Sequence, residues 1–231
     1  MAQLDSAEFP GLAERFAEVR SGIADACRSA ARDPGDVTLI VVTKFHPAAL
    51  VAALAELGVR DVGENRHQEA QAKAEELAAL GLDWHFIGQL QTKKARQAAR
   101  YAHAIHSIDR ERLVDALADV DREIDAFVQV NLTDDPARGG VAPDGVEALA
   151  ERVLEAPALR LRGVMSVAPL EEEPARAFER LAGYAERVRA LDPTASAISA
   201  GMTHDYWEAI AHGATHLRIG SAITGNRPEP R

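Results

Sequence analysis

The sequence contains very little cysteine. Cys27 is the single cysteine among 231 residues, so the chain cannot form an internal disulfide or supply the thiolates of a cysteine-based zinc or iron–sulfur site. Such a composition is typical of a reducing compartment. Residues 1–5 also lack the basic start and apolar run of a secretion signal. We therefore expect a cytoplasmic protein.

Long apolar stretches and an excess of positive charge are missing as well. No segment approaches the roughly 18 apolar residues that a membrane-spanning helix needs. The chain has 26 basic and 36 acidic side chains, for a formal net charge of −10. This charge disfavours nonspecific nucleic-acid binding and attraction to anionic membranes. We expect neither as a partner, and a small anionic ligand would need a locally positive site.

Several motifs that define enzyme classes are absent. The sequence lacks the phosphate-binding loop that ends in Lys-Ser/Thr, the dinucleotide-binding Gly-x-Gly-x-x-Gly and the Gly-x-Ser-x-Gly elbow of hydrolases. His103 with His106 and His212 with His216 have metal-like spacing. The first pair enters a predicted strand, however, and a glycine interrupts the second. We therefore predict no metal site.

Short apolar segments alternate with amphipathic ones along the chain. Residues 11–32 carry apolar side chains at steps of three and four, which predicts an extra N-terminal helix. Residues 38–42 form a continuous apolar and mainly β-branched run, as in a strand covered on both faces. Helical patterns separate seven further predicted strands, which span residues 59–63, 84–88, 104–108, 126–132, 161–167, 197–201 and 216–220.

Eight strands separated by helices favour a closed parallel (β/α)8 TIM barrel over an open, doubly wound sheet. A length of 231 residues suits such a barrel, because α/β barrels of about 200–250 residues commonly form one domain. We expect one domain over residues 1–231, with a helical extension at 1–35, the barrel at 36–225 and a loose tail at 226–231. Functional groups of such barrels lie at the carboxyl ends of the strands.

Lys44 follows directly after the first predicted strand and should therefore lie at the barrel mouth. Partial burial and neighbouring cations lower the pKa of a lysine from about 10.4, which frees the amine to attack an aldehyde. A solvated lysine at a strand end is the alternative, since most lysines face solvent.

Small residues and hydroxyl groups follow strands seven and eight, where barrels commonly hold phosphate. Ser199, Gly201 and Thr203 lie in the first segment, and Gly220 and Ser221 in the second. Glycine allows backbone N–H groups to approach phosphate, and hydroxyl groups add donors. Each segment alone is more often an ordinary turn. An amine opposite two such segments nevertheless suggests a phosphorylated aldehyde, and pyridoxal 5'-phosphate (PLP) has both groups.

The segment WHFIGQLQTKK at residues 84–94 resembles the signature of the pyridoxal phosphate homeostasis family. Further similar segments follow the family's order along nearly the whole chain, at residues 43–44, 63–65, 106–109, 129–131, 163–165, 199–205 and 218–221. The resemblance implies an α/β fold of the fold-type III PLP-binding class, similar to the N-terminal domain of alanine racemase. It also implies that PLP is covalently bound to Lys44 as a Schiff base.

The resemblance further implies how the cofactor is held. Ser199, Gly220 and Ser221 match phosphate-contacting positions, and Arg218 matches the arginine that faces the pyridine nitrogen. A guanidinium with a pKa above about 12 donates a hydrogen bond but does not readily protonate that nitrogen, which leaves a weaker electron sink. A surface salt bridge is the alternative role of Arg218. The predicted cofactor-binding residues are Lys44, Asn65, Met165, Ser199, Gly201, Met202, Thr203, Arg218, Gly220 and Ser221.

Three positions depart from the family's usual pattern. Ser221 stands where the family has threonine, which preserves the hydroxyl group. Ala200 replaces methionine, and Arg66 replaces an aromatic residue, so the contacts around the ring are less defined.

Four further residues have open roles. Met165 is the best candidate for a contact beside the ring, and a core methionine is the equal alternative. Asn65, His85 and Lys93 are candidates for shaping the mouth of the site. The alternative for Asn65 is packing at a strand end, that for His85 is a place in the core, and that for Lys93 is a solvated helix.

Racemisation requires proton transfer on both faces of the substrate carbon, and alanine racemase takes its second base from the β domain of a partner subunit. This sequence ends after the barrel, and Tyr101, Tyr184 and Tyr206 all fall in predicted helices. The resemblance therefore favours a monomeric, non-catalytic protein that holds, buffers or delivers PLP, with unidentified PLP-dependent apo-enzymes as candidate recipients. The alternative is a small fold-type III enzyme, such as an amino-acid racemase, that uses Lys44 together with water or His85.

Overall fold

Eight parallel strands close into a barrel in chain order in the computed structural model, which describes residues 8–226. Strand β1 pairs with both β2 and β8, so the first and last strands close the barrel. The predicted (β/α)8 fold is thereby confirmed. The strands are β1 (Thr38–Val42), β2 (Asp61–Glu64), β3 (Asp83–Phe86), β4 (Ala102–Ile108), β5 (Ile124–Gln129), β6 (Leu159–Met165), β7 (Ala197–Ser199) and β8 (His216–Ile219).

Nine α-helices occur in the described part of the chain, and several short 3₁₀ turns join them to the strands. No helix within residues 8–226 has the length and apolar content that crossing a membrane requires. The helices are α1 (Leu12–Ser29), α2 (Ala48–Glu56), α3 (His67–Glu76), α4 (Ala95–Ala98), α5 (Glu111–Leu117), α6 (Val146–Leu154), α7 (Pro174–Leu191), α8 (Tyr206–Ala211) and α9 (Ser221–Thr224).

Helix α1 is the predicted N-terminal extension, and it packs against α8 and α9. Its apolar side, which includes Phe16 and Ile23, is buried in the main hydrophobic core. The Arg15 side chain donates a hydrogen bond to the backbone oxygen of Ile223 over 2.8 Å. The extension therefore supports the helices that follow β7 and β8. Of the predicted tail at 226–231, residues 227–231 lie outside the described residues.

Most predicted strand ends differ from the observed ones by one to three residues, and one tyrosine was assigned to the wrong element. Strand β2 begins at Asp61 rather than at Val59, because the chain after Gly58, whose φ is +91°, first turns back toward the barrel. Tyr101 lies in the turn before β4 and not in a helix, since α4 ends at Ala98. Tyr184 and Tyr206 do lie in helices, as predicted.

Candidate functional site

Lys44 lies in the loop that follows β1, at the carboxyl end of the barrel, and is half-buried. We call residues Thr43–Phe45 the lysine loop. Phe45 has a φ of +70°, and such a left-handed conformation costs a non-glycine residue about 1–3 kcal/mol. Strain of this size persists only where surrounding contacts determine the backbone. The position of the lysine is therefore imposed by its neighbours.

A buried cluster of charged side chains holds the lysine loop on both sides of the lysine. The Lys73 ammonium donates to the backbone oxygen of Thr43 over 2.9 Å, to Glu64 Oε1 over 2.7 Å and to Glu69 Oε1 over 2.8 Å. The Thr43 hydroxyl also donates to Glu64 Oε1, over 2.7 Å. The backbone N–H of Phe45 donates to Glu69 Oε1 over 2.5 Å. These bonds fix the backbone that carries the Lys44 amine.

This cluster was not predicted from the sequence. Glu69 and Lys73 are four residues apart on α3, which is a common spacing on exposed helix faces, yet Lys73 is only 5% exposed. Burial raises the pKa of Glu64, although the nearby Lys73 opposes that effect. Glu64 Oε2 is buried without a hydrogen-bond partner in the described structure. The site thus contains a carboxyl oxygen free to accept a proton or a hydrogen bond.

The segment after β7 lies on the same rim of the barrel as the lysine loop, with β8 between β7 and β1. Gly201 has a φ of +91°, and a Cβ atom there would lie 2.7 Å from Ala209 Cβ, so the turn requires glycine. The backbone N–H of Met202 donates to the Asp205 carboxylate over 2.5 Å. Met202 is exposed and Thr203 half-buried. The turn therefore presents backbone and a hydroxyl group at the mouth, while one of its N–H groups already has a carboxylate partner.

The segment after β8 lies beside that turn. Gly220 precedes α9, and Ser221 begins it with an exposed side chain. The backbone N–H of Arg218 donates to the backbone oxygen of Gly201 over 2.9 Å, which joins the two segments directly. The structure thus brings both predicted phosphate-binding segments to the barrel end at which Lys44 lies.

Arg218 is buried in the barrel, with 5% of its surface exposed. The guanidinium donates to Ser199 Oγ over 2.6 Å and to the backbone oxygen of Ser166 over 2.8 Å. Burial lowers the pKa of Arg218 to about 10, and the charge of Asp205 opposes this shift. The alternative of a surface salt bridge is therefore wrong. The arginine is a fixed cation beneath the mouth.

Ser199 is fully buried, and its hydroxyl group already has two partners. It accepts from Arg218 and contacts His106 Nδ1 over 2.8 Å. Its assignment as a phosphate contact stays a prediction, and the geometry adds a second role in holding the arginine.

His85 and His106 lie inside the barrel. His106 stacks on Phe127, with ring centroids 4.3 Å apart, and burial together with neighbouring positive groups lowers its pKa well below the ordinary value. The two histidine rings bond to each other through His85 Nδ1 and His106 Nε2 over 2.9 Å, and His85 Nε2 contacts Asp61 Oδ1 over 3.0 Å. His85 is therefore a core histidine, which was the alternative to a role in shaping the mouth of the site.

The remaining predicted residues occupy different environments. Met165 is 2% exposed and packs with Ala104, Phe127 and Ala197 in a small apolar cluster of the barrel. Asn65 is half-buried at the end of β2, and its Oδ1 has no partner in the described structure. Their contacts to a cofactor stay predictions.

Lys93 and the histidine pairs complete the site predictions. Lys93 is exposed in a 3₁₀ turn. His103 points to the opposite end of the barrel, 3.5 Å from Asp83, whereas His106 points inward. Among residues 8–226, no group of three or more histidine, cysteine or acidic side chains is arranged to hold a metal ion.

The residues at the mouth fit a phosphorylated aldehyde. A half-buried amine, two adjacent segments with glycine and hydroxyl groups, and a buried arginine lie at one end of the barrel. Asn65 Oδ1 supplies a buried polar atom that a ligand could satisfy. The set of groups corresponds to the aldehyde, phosphate and ring nitrogen of PLP.

Comparison with known proteins defines the class of barrel. Residues 14–228 match the family model of the alanine racemase N-terminal domain. The alanine racemase from Corynebacterium glutamicum has the same fold, with a TM-score of 0.64 and 17% identity, over 91% of this chain and 61% of that chain. The chain is therefore a barrel of the alanine racemase N-terminal type.

Nearer relatives define the family. The pyridoxal phosphate homeostasis protein of Mycobacterium tuberculosis is 41% identical over 94% of this chain and 93% of its own length. The Escherichia coli protein of that name is 36% identical over 94% of this chain and 97% of its own length. PipY from Synechococcus elongatus, solved with PLP bound, has a TM-score of 0.79 and 34% identity over 93% of this chain and all of that chain. The chain belongs to the pyridoxal phosphate homeostasis protein family.

Proposed function

We propose that this protein binds PLP through a Schiff base to Lys44 and holds, buffers or delivers the cofactor without catalysis of its own. The position of the Lys44 amine at the same end of the barrel as the segments after β7 and β8 carries this proposal. The names of the relatives and the PLP bound to PipY support it.

Each part of the mouth has a defined task in this proposal. Lys44 would hold PLP through its amine, which would condense with the aldehyde carbon and release the carbonyl oxygen as water. Gly201, Thr203, Gly220 and Ser221 bind the phosphate through backbone N–H and hydroxyl groups. Bound PLP supplies an electron-withdrawing ring, and a hydrogen bond from Arg218 leaves its nitrogen unprotonated.

Several observations support a non-catalytic role. The relatives are named as homeostasis proteins, and the likeness to alanine racemase, at 17% identity, extends to the fold alone. The Tyr101 hydroxyl lies 3.3 Å from His67 Nδ1, and Tyr184 packs under Arg187. Both ring nitrogens of His85 are engaged inside the barrel. The positions of Tyr101, Tyr184 and His85 therefore give no support to any of them as the second base of the racemase alternative.

The remaining parts of the proposal concern the surroundings of the protein. We place it in the cytoplasm, without nucleic-acid or membrane partners, because of its single cysteine and its net charge of −10. The family resemblance favours a monomer, and a length of 231 residues suits a single domain. PLP-dependent apo-enzymes are the candidate recipients of the cofactor.

Visible absorption of the protein after incubation with PLP tests the proposed anchor. The parent should show the band of a PLP Schiff base, and Lys44→Ala should abolish it, because the substitution removes the amine. Lys93→Ala is the matched control, since Lys93 is an exposed lysine on the loop after β3, and it should retain the band. An unchanged band in Lys44→Ala would place the anchor elsewhere.

A further inference from the structure

A continuous chain of hydrogen bonds crosses the interior of the barrel. It begins at Asp61, the first residue of β2, and passes through His85, His106 and Ser199 to Arg218 in β8. The successive distances are 3.0, 2.9, 2.8 and 2.6 Å. The three middle side chains are at most 3% exposed. Water therefore has little access to the chain, and its members must satisfy one another.

The two end bonds of the chain have fixed directions, and the tautomer in which His85 Nδ1 carries no proton gives the two bonds between them a single direction. The Asp61 carboxylate only accepts, so His85 donates from Nε2 and keeps Nδ1 as an acceptor. His106 then donates from Nε2 to His85, and its own Nδ1 accepts from the Ser199 hydroxyl. The lone pairs of that hydroxyl are left for the guanidinium of Arg218.

This direction requires the His106 ring to be neutral. Burial and the positive groups nearby lower the pKa of His106 well below its ordinary value. If His106 carried a proton on Nδ1, the Ser199 hydroxyl would lose its acceptor inside the barrel. The buried environment therefore preserves the arrangement that orients the serine toward the arginine.

The chain holds the arginine without cancelling its charge. Arg218 contacts a neutral hydroxyl and a backbone oxygen, whereas the only carboxylate of this hydrogen-bond chain, Asp61, lies at the opposite end of the barrel. These two bonds use two of the five N–H groups of a guanidinium. Donors and positive charge are thus left for a group bound at the mouth.

We propose that His85, His106 and Ser199 are positioning residues that orient Arg218 toward the pyridine nitrogen of bound PLP. This inference rests on the proposed function, and it extends the site from the mouth to the opposite end of the barrel. The three residues act through the arginine and not by touching the cofactor's ring nitrogen.

Two measurements test the inference. One is the nuclear magnetic resonance signal of the isotope-labelled ring nitrogen of bound PLP, and the other is the affinity of the protein for PLP, measured by titration. His106→Phe keeps the stack on Phe127 but removes both hydrogen bonds. It should shift the ring-nitrogen resonance and weaken PLP binding about tenfold, as expected for loss of one hydrogen bond to a charged group. The Schiff base to Lys44 should still form.

Two further variants distinguish orientation from general packing. His106→Asn offers an oxygen near the position of Nδ1, so it should accept from Ser199 and return the resonance toward that of the parent. His216→Phe removes another imidazole that packs on Phe127 and lies outside the chain. It should leave the resonance unchanged.

The outcomes separate this inference from the proposed function. Absence of the Schiff base in the parent would contradict the proposed function itself. The inference would be overturned by a different result. In that case the parent binds PLP at Lys44, but the resonance and the PLP affinity of His106→Phe match those of His216→Phe. If His106→Phe does not fold, Ser199→Ala decides in its place, because it removes the hydroxyl that contacts Arg218 and should shift the same resonance. The resonance alone is the readout for this variant, since the same hydroxyl is also a predicted phosphate contact.

Discussion

At the scale of single residues, the site depends on charged side chains that the sequence suggests are solvated. Lys73 lies within hydrogen-bond distance of two carboxylates and one backbone oxygen of the lysine loop. Its side chain is 7% exposed and that of Glu64 1%. Two carboxylates around one ammonium would repel each other if the ammonium were lost. Lys73 therefore stabilises both the fold and the backbone around Lys44.

Replacement of this lysine tests that role. Lys73→Met should lower the free energy of unfolding by about 3–5 kcal/mol, since removing one partner of a buried ion pair leaves an uncompensated charge. Urea denaturation measures the change. Lys94→Met is the control, because the Lys94 ammonium makes an exposed hydrogen bond to Gln97 and lies outside the buried cluster. A loss in Lys73→Met as small as that in Lys94→Met would contradict the role.

At the scale of strands and loops, close backbone contacts shape the mouth. Gly88 follows β3, and a Cβ atom there would lie 2.3 Å from the backbone oxygen of Asn65. Backbone cannot move aside as a flexible side chain does. The absence of a side chain at Gly88 therefore allows the loops after β2 and β3 to touch.

Two glycine substitutions test the importance of this contact. Gly88→Ala should destabilise the protein by about 1–3 kcal/mol, the usual cost of overpacking. Gly183→Ala is the matched control, because a Cβ atom at Gly183 in α7 would meet no neighbouring atom of the described residues within 4 Å, and it should stabilise the protein by about 0.5–1 kcal/mol. Thermal unfolding of both variants gives the comparison. A neutral Gly88→Ala would mean that the loops are free to separate.

The number and order of the strands were predictable, because short segments with apolar residues alternate with helical patterns along the chain. Their amino ends were harder to predict. Asp83, His103 and Asp125 look like loop residues in the sequence, yet they lie within strands and approach one another across the end of the barrel. Such pairs depend on strand register, which local sequence does not specify.

Some parts of the site were predictable from the sequence, and others were missed. Lys44 was identified because it follows a predicted strand closely, and Gly201 and Gly220 because each ends a predicted strand. The contact between His85 and His106 was missed because it joins two strands whose pairing includes a register shift. Arg218 was assigned through a family resemblance, and no local sequence pattern indicates its partners.

At the scale of the whole molecule, buried neutral histidines couple stability to pH. Burial lowers the pKa of His216 to about 3, from an ordinary value of 6.5, and lowers that of His106 well below the ordinary value. The unfolded chain binds protons at these histidines below about pH 6.5, whereas the folded chain does not. The free energy of unfolding must therefore fall as the pH falls below that value. Glu64, whose pKa burial raises, contributes in the opposite direction at lower pH.

Comparison of the parent with His216→Phe isolates one histidine, since Glu64 is common to both proteins. As the pH falls from about 6.5 toward about 5.5, the parent should lose about 1 kcal/mol more than the variant. Urea denaturation at several pH values measures this difference. Parallel pH dependences of the two proteins would show that His216 is protonated equally in the folded and unfolded states.

The central claim is that the amine of Lys44 carries PLP. Borohydride reduction of the PLP-treated protein, followed by mass mapping of its peptides, tests this claim most directly. The account predicts the mass of one reduced pyridoxyl phosphate group on the peptide that contains Lys44 and on no other peptide. A protein that gains no mass, or that gains it at a different lysine, would contradict the account.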